Sequence, residues 1–280
     1  MTSLDKHFDA PASDDFTAPA VRKHGPLYAE MPGKISRFLA RSIGTKRIMM
    51  RNTEPLVSFT FDDVAASTCR AGAEIVQHYQ ARATFYISGG RCGAASPTGR
   101  LASVDQIKAL HANGHEIGCH TYSHASVVAL SRAALAEEIQ RNRTFLQGVL
   151  GNVAIRNFAY PYGDLSFATK RYLATQFDSC RSPIPGVNAG VADLAILRSH
   201  TLEDATITRA GIRAIIAENV RRNGWLLFAS HDVDNAPSRY GVRPELLAFA
   251  LRSAQEAGCQ LVTVAQAIEI LRGAAPSGST

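Results

Sequence analysis

A chain of 280 residues, 46% hydrophobic and 19% charged, has the balance of a globular protein and the length to bury a sizeable core, which excludes disorder along its whole length. No run reaches the roughly 18 apolar residues that span a bilayer, and the opening MTSLDKHFDAPASDDF has no apolar stretch behind a basic start, so no transmembrane segment or secretory signal is read and a cytoplasmic location is expected. The net charge of +6 is dispersed, with no nucleic-acid-binding motif; it suits plain solubility, a phosphate-bearing substrate or an anionic membrane face.

Residues 1–53 differ in texture from the rest. DAPASDDFTAPA, rich in Pro, Ala and Asp, predicts an extended arm, and residues 34–44 predict a short amphipathic helix with Ile35, Phe38, Leu39 and Ile43 on one face and Gly44 at its end. That helix has two candidate roles, capping the main domain or binding a second copy of the chain as a homodimer.

A catalytic domain is expected over 54–273, where strand-like and helix-like segments alternate; 274–280 is a loose tail. PLVSFTFDD reads as a buried strand, followed by a helix over 71–80, the strand ATFYIS and a helix over 104–113. HEIGCH is the third strand, and Ser131 caps a helix reaching residue 150. IRNFAYPYG, a helix over 167–175, FDSCRS, a helix over 207–222 and WLLFAS follow in order. Pro244 opens the next helix at a tolerated first-turn position, and QLVTV with a helix to about residue 271 completes the pattern. This alternation predicts an α/β fold with a parallel sheet, and six or seven repeats without a Gly-rich nucleotide loop favour a (β/α) barrel of seven or eight strands over an open sheet. The five cysteines are dispersed and read as reduced, mostly buried thiols.

In such a barrel the chemistry gathers at the C-terminal ends of the strands, and the polar residues of this chain stand there. LVSFTF runs into Asp62 and Asp63, HEIGC into His120 and then His124, the fourth strand into AYPYG, and WLLFAS into His231 and Asp232. On a helical turn, the i, i+4 spacing would let His120 and His124 bind one metal ion, with one carboxylate completing the set and open positions left for water and a substrate carbonyl. Neighbours on an extended chain point to opposite sides, so one of Asp62 and Asp63 can hold a metal while the other takes a proton from water. His115, His111 and His200 read as structural, as do Cys119 and Trp225. The loop 182–194 either lines a substrate groove or simply connects elements.

TFDD at 60–63, HTYSH at 120–124, FAYPYG at 158–163 and LFASH ending at His231 together resemble, in this order, the motifs of the polysaccharide deacetylase family, also called carbohydrate esterase family 4. The resemblance covers about residues 56–271. It implies a distorted (β/α) barrel and removal of an N-acetyl group from an amino sugar. Asp62 would be the general base and His231 the general acid, while Asp63, His120 and His124 would bind Zn2+, or else Co2+, Ni2+ or Fe2+. Tyr162, with Pro161 beside it, would serve the oxyanion and substrate. Its substrates would be carbohydrates: an amino-sugar glycan, a glycolipid precursor or a sugar nucleotide. A deformylase or other small-amide hydrolase, and an inactive sugar-binding paralogue, are the competing functions.

Two departures stand out. Many members carry an arginine in the third motif that orients the base; here Ala159 takes that place, and Arg181 at the end of FDSCRS either reaches in as its replacement, contacts substrate or forms a structural ion pair. The Asp–Trp element that supports the acid histidine is not recognisable, leaving Asp178, Asp193 and Asp232 as candidates for its carboxylate.

Overall fold

The strand Leu56–Asp62 is buried along its whole length, yet its residues alternate: Val57, Phe59 and Phe61 are apolar, while Ser58, Thr60 and Asp62 are polar. Period-two alternation sends the two sets to opposite faces, and here both faces are covered. The same division runs through the neighbouring strands. In a computed structural model that describes residues 33–273, seven parallel strands lie in the order His200–Thr201, Trp225–Ser230, Leu56–Asp62, Thr84–Ile87, Glu116–Cys119, Asn157–Ala159 and Ser179–Arg181. An eighth, Gln260–Leu261, pairs with Leu56 and Val57. The expected extended arm before Gly33 and the tail 274–280 lie outside the described residues.

The sheet curls back on itself. Leu197 bridges Arg181 on one edge, and three residues later His200 pairs with Phe228 on the other, so the segment 197–201 is the seam of a distorted barrel. Helices 104–112, 132–150, 167–176, 209–221 and 244–256 supply the crossovers and the outer layer. Their starts follow the local chemistry: Ser103 forms a capping box with Gln106, Ser131 accepts from the N–H of Ala134, and Pro244 sits in a first turn. Against this layer pack Phe59, Phe61, Phe85, Ile117 and Phe158, each buried phenylalanine contributing about 1.5–3 kcal/mol.

The inner face is wired by hydrogen bonds. Glu116 accepts from Thr84 Oγ1 at 2.9 Å and from the first-turn N–H of Ala265 at 2.9 Å, and Asn157 also donates to it. Trp225, fully buried, donates its indole N–H to Ser58 at 2.9 Å. The last helix, Val264–Leu271, plugs the base of the barrel with Ile268 and Leu271 against Leu56, Trp225 and Leu227.

Several short elements were not expected. Arg47–Met49 and Val191–Asp193 form an antiparallel pair, Ala95–Ser96 and Gly99–Arg100 a small hairpin, and His200–Thr201 a two-residue strand. The helix expected over 71–80 begins as a π turn, Thr68–Gly72, before Ala73–His78 becomes α-helical. The loop 182–194 turns away from the rim: Asn188 exchanges backbone hydrogen bonds with Trp225, at the opposite end of its strand. The amphipathic helix is Gly33–Ser42, and it is pinned to the barrel by Lys170, whose fully buried ammonium donates to the carbonyls of Ala40 and Ile43 and pairs with Asp193 at 2.7 Å.

Candidate active site

Register alone brings the polar strand ends together. Ser230 pairs with Phe61, which puts His231 beside Asp62, and Phe158 pairs with Cys119, which puts Ala159 beside His120. The carboxylate of Asp63 and the imidazoles of His120 and His124 converge, with one ligand atom from each lying within 4.8 Å of the others. His124 Nε2 stands 3.3 Å from Asp63 Oδ2, and the two imidazole centroids are 4.9 Å apart.

The backbone that achieves this is strained in a consistent way. Asp63, Thr121, His124 and Tyr162 all have left-handed conformations, with φ of 40, 58, 60 and 58°. For a β-branched residue such as Thr121 this is a rare and costly state that the surroundings must enforce. Glu138, on the helix 132–150, enforces it by accepting from the N–H groups of Tyr122 and Ser123 at 2.9 and 2.8 Å, and Thr121 Oγ1 accepts from the N–H of Ala125. The two histidines therefore do not lie on a helical turn, as their spacing suggests; a looped segment brings them together.

Each donor is prepared for a cation. His120 Nδ1 lies 2.9 Å from the carbonyl of Ala159; donation there assigns the lone pair to Nε2, the orienting contact usual for a metal-binding imidazole. Burial pushes the imidazoles of both His120 and His124 down to about 4, so both are neutral near pH 7. Asp63 Oδ1 and His124 Nδ1 are buried and have no hydrogen-bond partner among the described residues. Two neutral imidazoles and one carboxylate suit a borderline divalent ion.

Asp62 is held from across the barrel. The guanidinium of Arg181, itself buried, donates to Asp62 Oδ2. Burial pushes the Asp62 carboxyl up, but Arg181, with His120 and His231, outweighs it and brings the group below the usual carboxylate range. Arg181 pairs in register with Ala159, so the guanidinium stands one strand over from the motif-three position, at the same level in the wall. It lies against the ring of Tyr86, 5.5 Å from its centroid. Tyr86 in turn covers Gly118, where a Cβ would come within 2.4 Å of the ring, so only glycine fits.

Tyr162 projects from the 3-10 turn Pro161–Gly163, largely exposed, with its ring centroid 4.4 Å from that of His124. None of the three carboxylates expected as candidates reaches His231. Asp178 pairs with Arg156 and Arg272, Asp193 with Lys170, and Asp232 turns to accept from the N–H and hydroxyl of Ser238. The carboxylate that register does bring to His231, besides Asp62, is Glu203. Thr201 pairs with Ala229 and the N–H of Leu202 donates to Ala229, so two residues further on Glu203 comes level with His231. Glu203 is buried, which pushes its carboxyl up while His231 draws it down, and His231 Nδ1 is a buried atom with no hydrogen-bond partner among the described residues. Glu203→Gln is expected to lower kcat by roughly one to two decades, the usual worth of an outer partner to a functional imidazole. Metal content and melting temperature should not change, and an unaltered kcat would remove Glu203 from the site.

The polysaccharide deacetylase family profile matches residues 50–178. A chitin deacetylase of Pestalotiopsis sp is 29% identical over 96 residues, 34% of this chain and 30% of that protein. Another, from Colletotrichum lindemuthianum, is 33% identical over 99 residues, 35% of this chain and 39% of that protein. The chain thus spans well under half the length of these two relatives. A family 4 carbohydrate esterase from Bacillus anthracis superposes with a TM-score of 0.57 at 15% identity, over 85% of this chain and 94% of that one. The matched segment contains the Asp63, His120 and His124 cluster. Residues 50–178 match the polysaccharide deacetylase family, and the chain carries the fold of the family 4 carbohydrate esterases.

Proposed function

We propose that the protein is a metal-dependent hydrolase that removes the acetyl group from the nitrogen of an amino sugar. The observation that carries the reading is the convergence of Asp63, His120 and His124 beside a buried Asp62 held by Arg181. Asp63, His120 and His124 would hold the ion, most simply Zn2+. When bound, a divalent cation acidifies water and polarises an amide carbonyl.

The chain's own residues supply the proton transfers. Asp62, kept ionised by Arg181, accepts a proton from the water whose oxygen attacks the acetyl carbon. The backbone N–H of Tyr162 faces the oxyanion that develops on the former carbonyl. His231 gives a proton to the departing nitrogen as the C–N bond breaks, so acetate and a free amine leave. The exposed ring of Tyr162 offers a flat face at the rim for a sugar, a use to which aromatic side chains are suited. Chitin deacetylases among the relatives support an N-acetylglucosamine-type substrate.

Acetate release measured across chitin oligomers, sugar nucleotides and glycolipids tests the reading directly. Release is expected from at least one class, abolished by a chelator and restored by Zn2+. Formate release from N-formyl sugars with no acetate release would favour a deformylase. Metal binding without turnover on any substrate would leave a sugar-binding protein.

A further inference from the structure

Eight large apolar side chains are well exposed among the described residues, and five of them are Ile35, Phe38, Ile43, Met49 and Val191. They mark a tract on two adjoining elements, the helix Gly33–Ser42 running into Ile43 and the paired strands Arg47–Met49 and Val191–Asp193. Met49 and Val191 are paired in register, and Val191 lines a cavity of about 260 Å³ together with Arg41, Ser42 and Gly44, which flank Ile43. Ile35 and Phe38 lie on the helix Gly33–Ser42, whose opposite side is fixed to the barrel: Ala40 is buried and Ser36 accepts from the N–H of Phe167. At 100° per residue Phe38 points away from that anchored side; it is 67% exposed.

The charge around this tract has one sign. Exposed Lys34, Arg37 and Arg41 flank Phe38 on the same helix. The cavity is lined by Arg41, Arg47, Arg198 and Arg222, and its only carboxylate among the described residues, Asp193, is already taken by Lys170 and by the N–H groups of Thr45 and Lys46. Arg222 shares its charge with Glu218, whereas Arg41, Arg47 and Arg198 form no ion pair among the described residues. A second copy of the chain using this face across a two-fold axis would set arginines against arginines. Apolar side chains ringed by unpaired cations fit instead a surface that offers hydrocarbon below a layer of phosphates.

We propose that this face docks on an anionic lipid bilayer, with Phe38 and Met49 entering the headgroup boundary and the arginine-lined cavity receiving a lipid phosphate. The proposal does not depend on the catalytic reading.

Co-sedimentation of the full chain with vesicles tests it. Binding is expected to vesicles of phosphatidylcholine mixed with phosphatidylglycerol, not to phosphatidylcholine alone, and to weaken as salt is raised. Arg41→Gln and Arg47→Gln should each weaken binding roughly fivefold, the worth of one cation at such a surface, and Phe38→Glu should weaken it further, all with unchanged melting temperatures. Equal binding to both vesicles, or to neither, would overturn the proposal. So would loss of a dimer in Phe38→Glu, which would make the face a self-association surface. A lower melting temperature in Phe38→Glu with vesicle binding unaltered would assign the face to residues 1–32, and saturable binding of inorganic phosphate in place of vesicles would assign the cavity to a soluble anion.

Discussion

Asp62→Asn is expected to lower kcat by roughly two to four decades, the usual worth of a positioned acid or base, while the variant still binds one equivalent of metal by elemental analysis. The two halves of this expectation rest on different residues. The cation cluster is Asp63, His120 and His124, and Asp62 is absent from it; its buried carboxylate faces Arg181 instead. Asparagine preserves the shape and can still accept from Arg181, but it has no basic lone pair to take a proton from water. Wild-type kcat in Asp62→Asn would exclude Asp62 as the base. Loss of the metal would instead make Asp62 a ligand and redraw the cluster.

Asp193→Asn should cost about 3–5 kcal/mol of stability, because it leaves a buried cation without its counter-charge. For a domain of this size that corresponds to about 2–4 °C of melting temperature per kcal/mol. Lys170 is fully buried and pairs with Asp193 at 2.7 Å, and its other partners, the carbonyls of Ala40 and Ile43, bear no formal charge. The effect should depend on pH. Burial pushes the Asp193 carboxyl up, but Lys170 and the N–H groups of Lys46 and Thr45 bring it below its ordinary value of 3.8. A carboxyl lowered by folding stabilises fully above that ordinary value and loses its contribution as pH falls through the folded one. Wild type should therefore destabilise on acidification below that value more steeply than Asp193→Asn. Parallel melting curves across that range would mean the pair contributes nothing.

The legible parts of this chain are those where local chemistry and tertiary position agree. Leu56–Asp62 and Trp225–Ser230 are apolar enough to announce themselves, and Ser103, Ser131 and Pro244 mark helix starts by their own bonding. His200–Thr201 is a two-residue strand held only by its neighbour, and nothing in its composition marks it. Glu203 was invisible for the same reason: only the register across that strand brings it to His231. Arg181 could be suspected from its place at a strand end, yet choosing among its three roles needed the distance across the barrel to Asp62. The spacing of His120 and His124 marked a pair that the structure brings together, but it suggested a helical turn where Glu138, remote in sequence, fixes a loop between them.

The seam of the barrel has an uneven consequence for the rim. Asp62 and Asp63 stand on or beside a strand stitched to Trp225–Ser230 over six residues, and the ladder between Thr84–Ile87 and Glu116–Cys119 is likewise continuous. On the other side, the wall between Arg181 and Phe228 is closed by one bridge and a two-residue strand. Local opening follows the places where backbone bonds are fewest. Any widening of the rim therefore falls first on the stretch leading to Glu203, and the cation cluster keeps its spacing while the wall beside His231 gives.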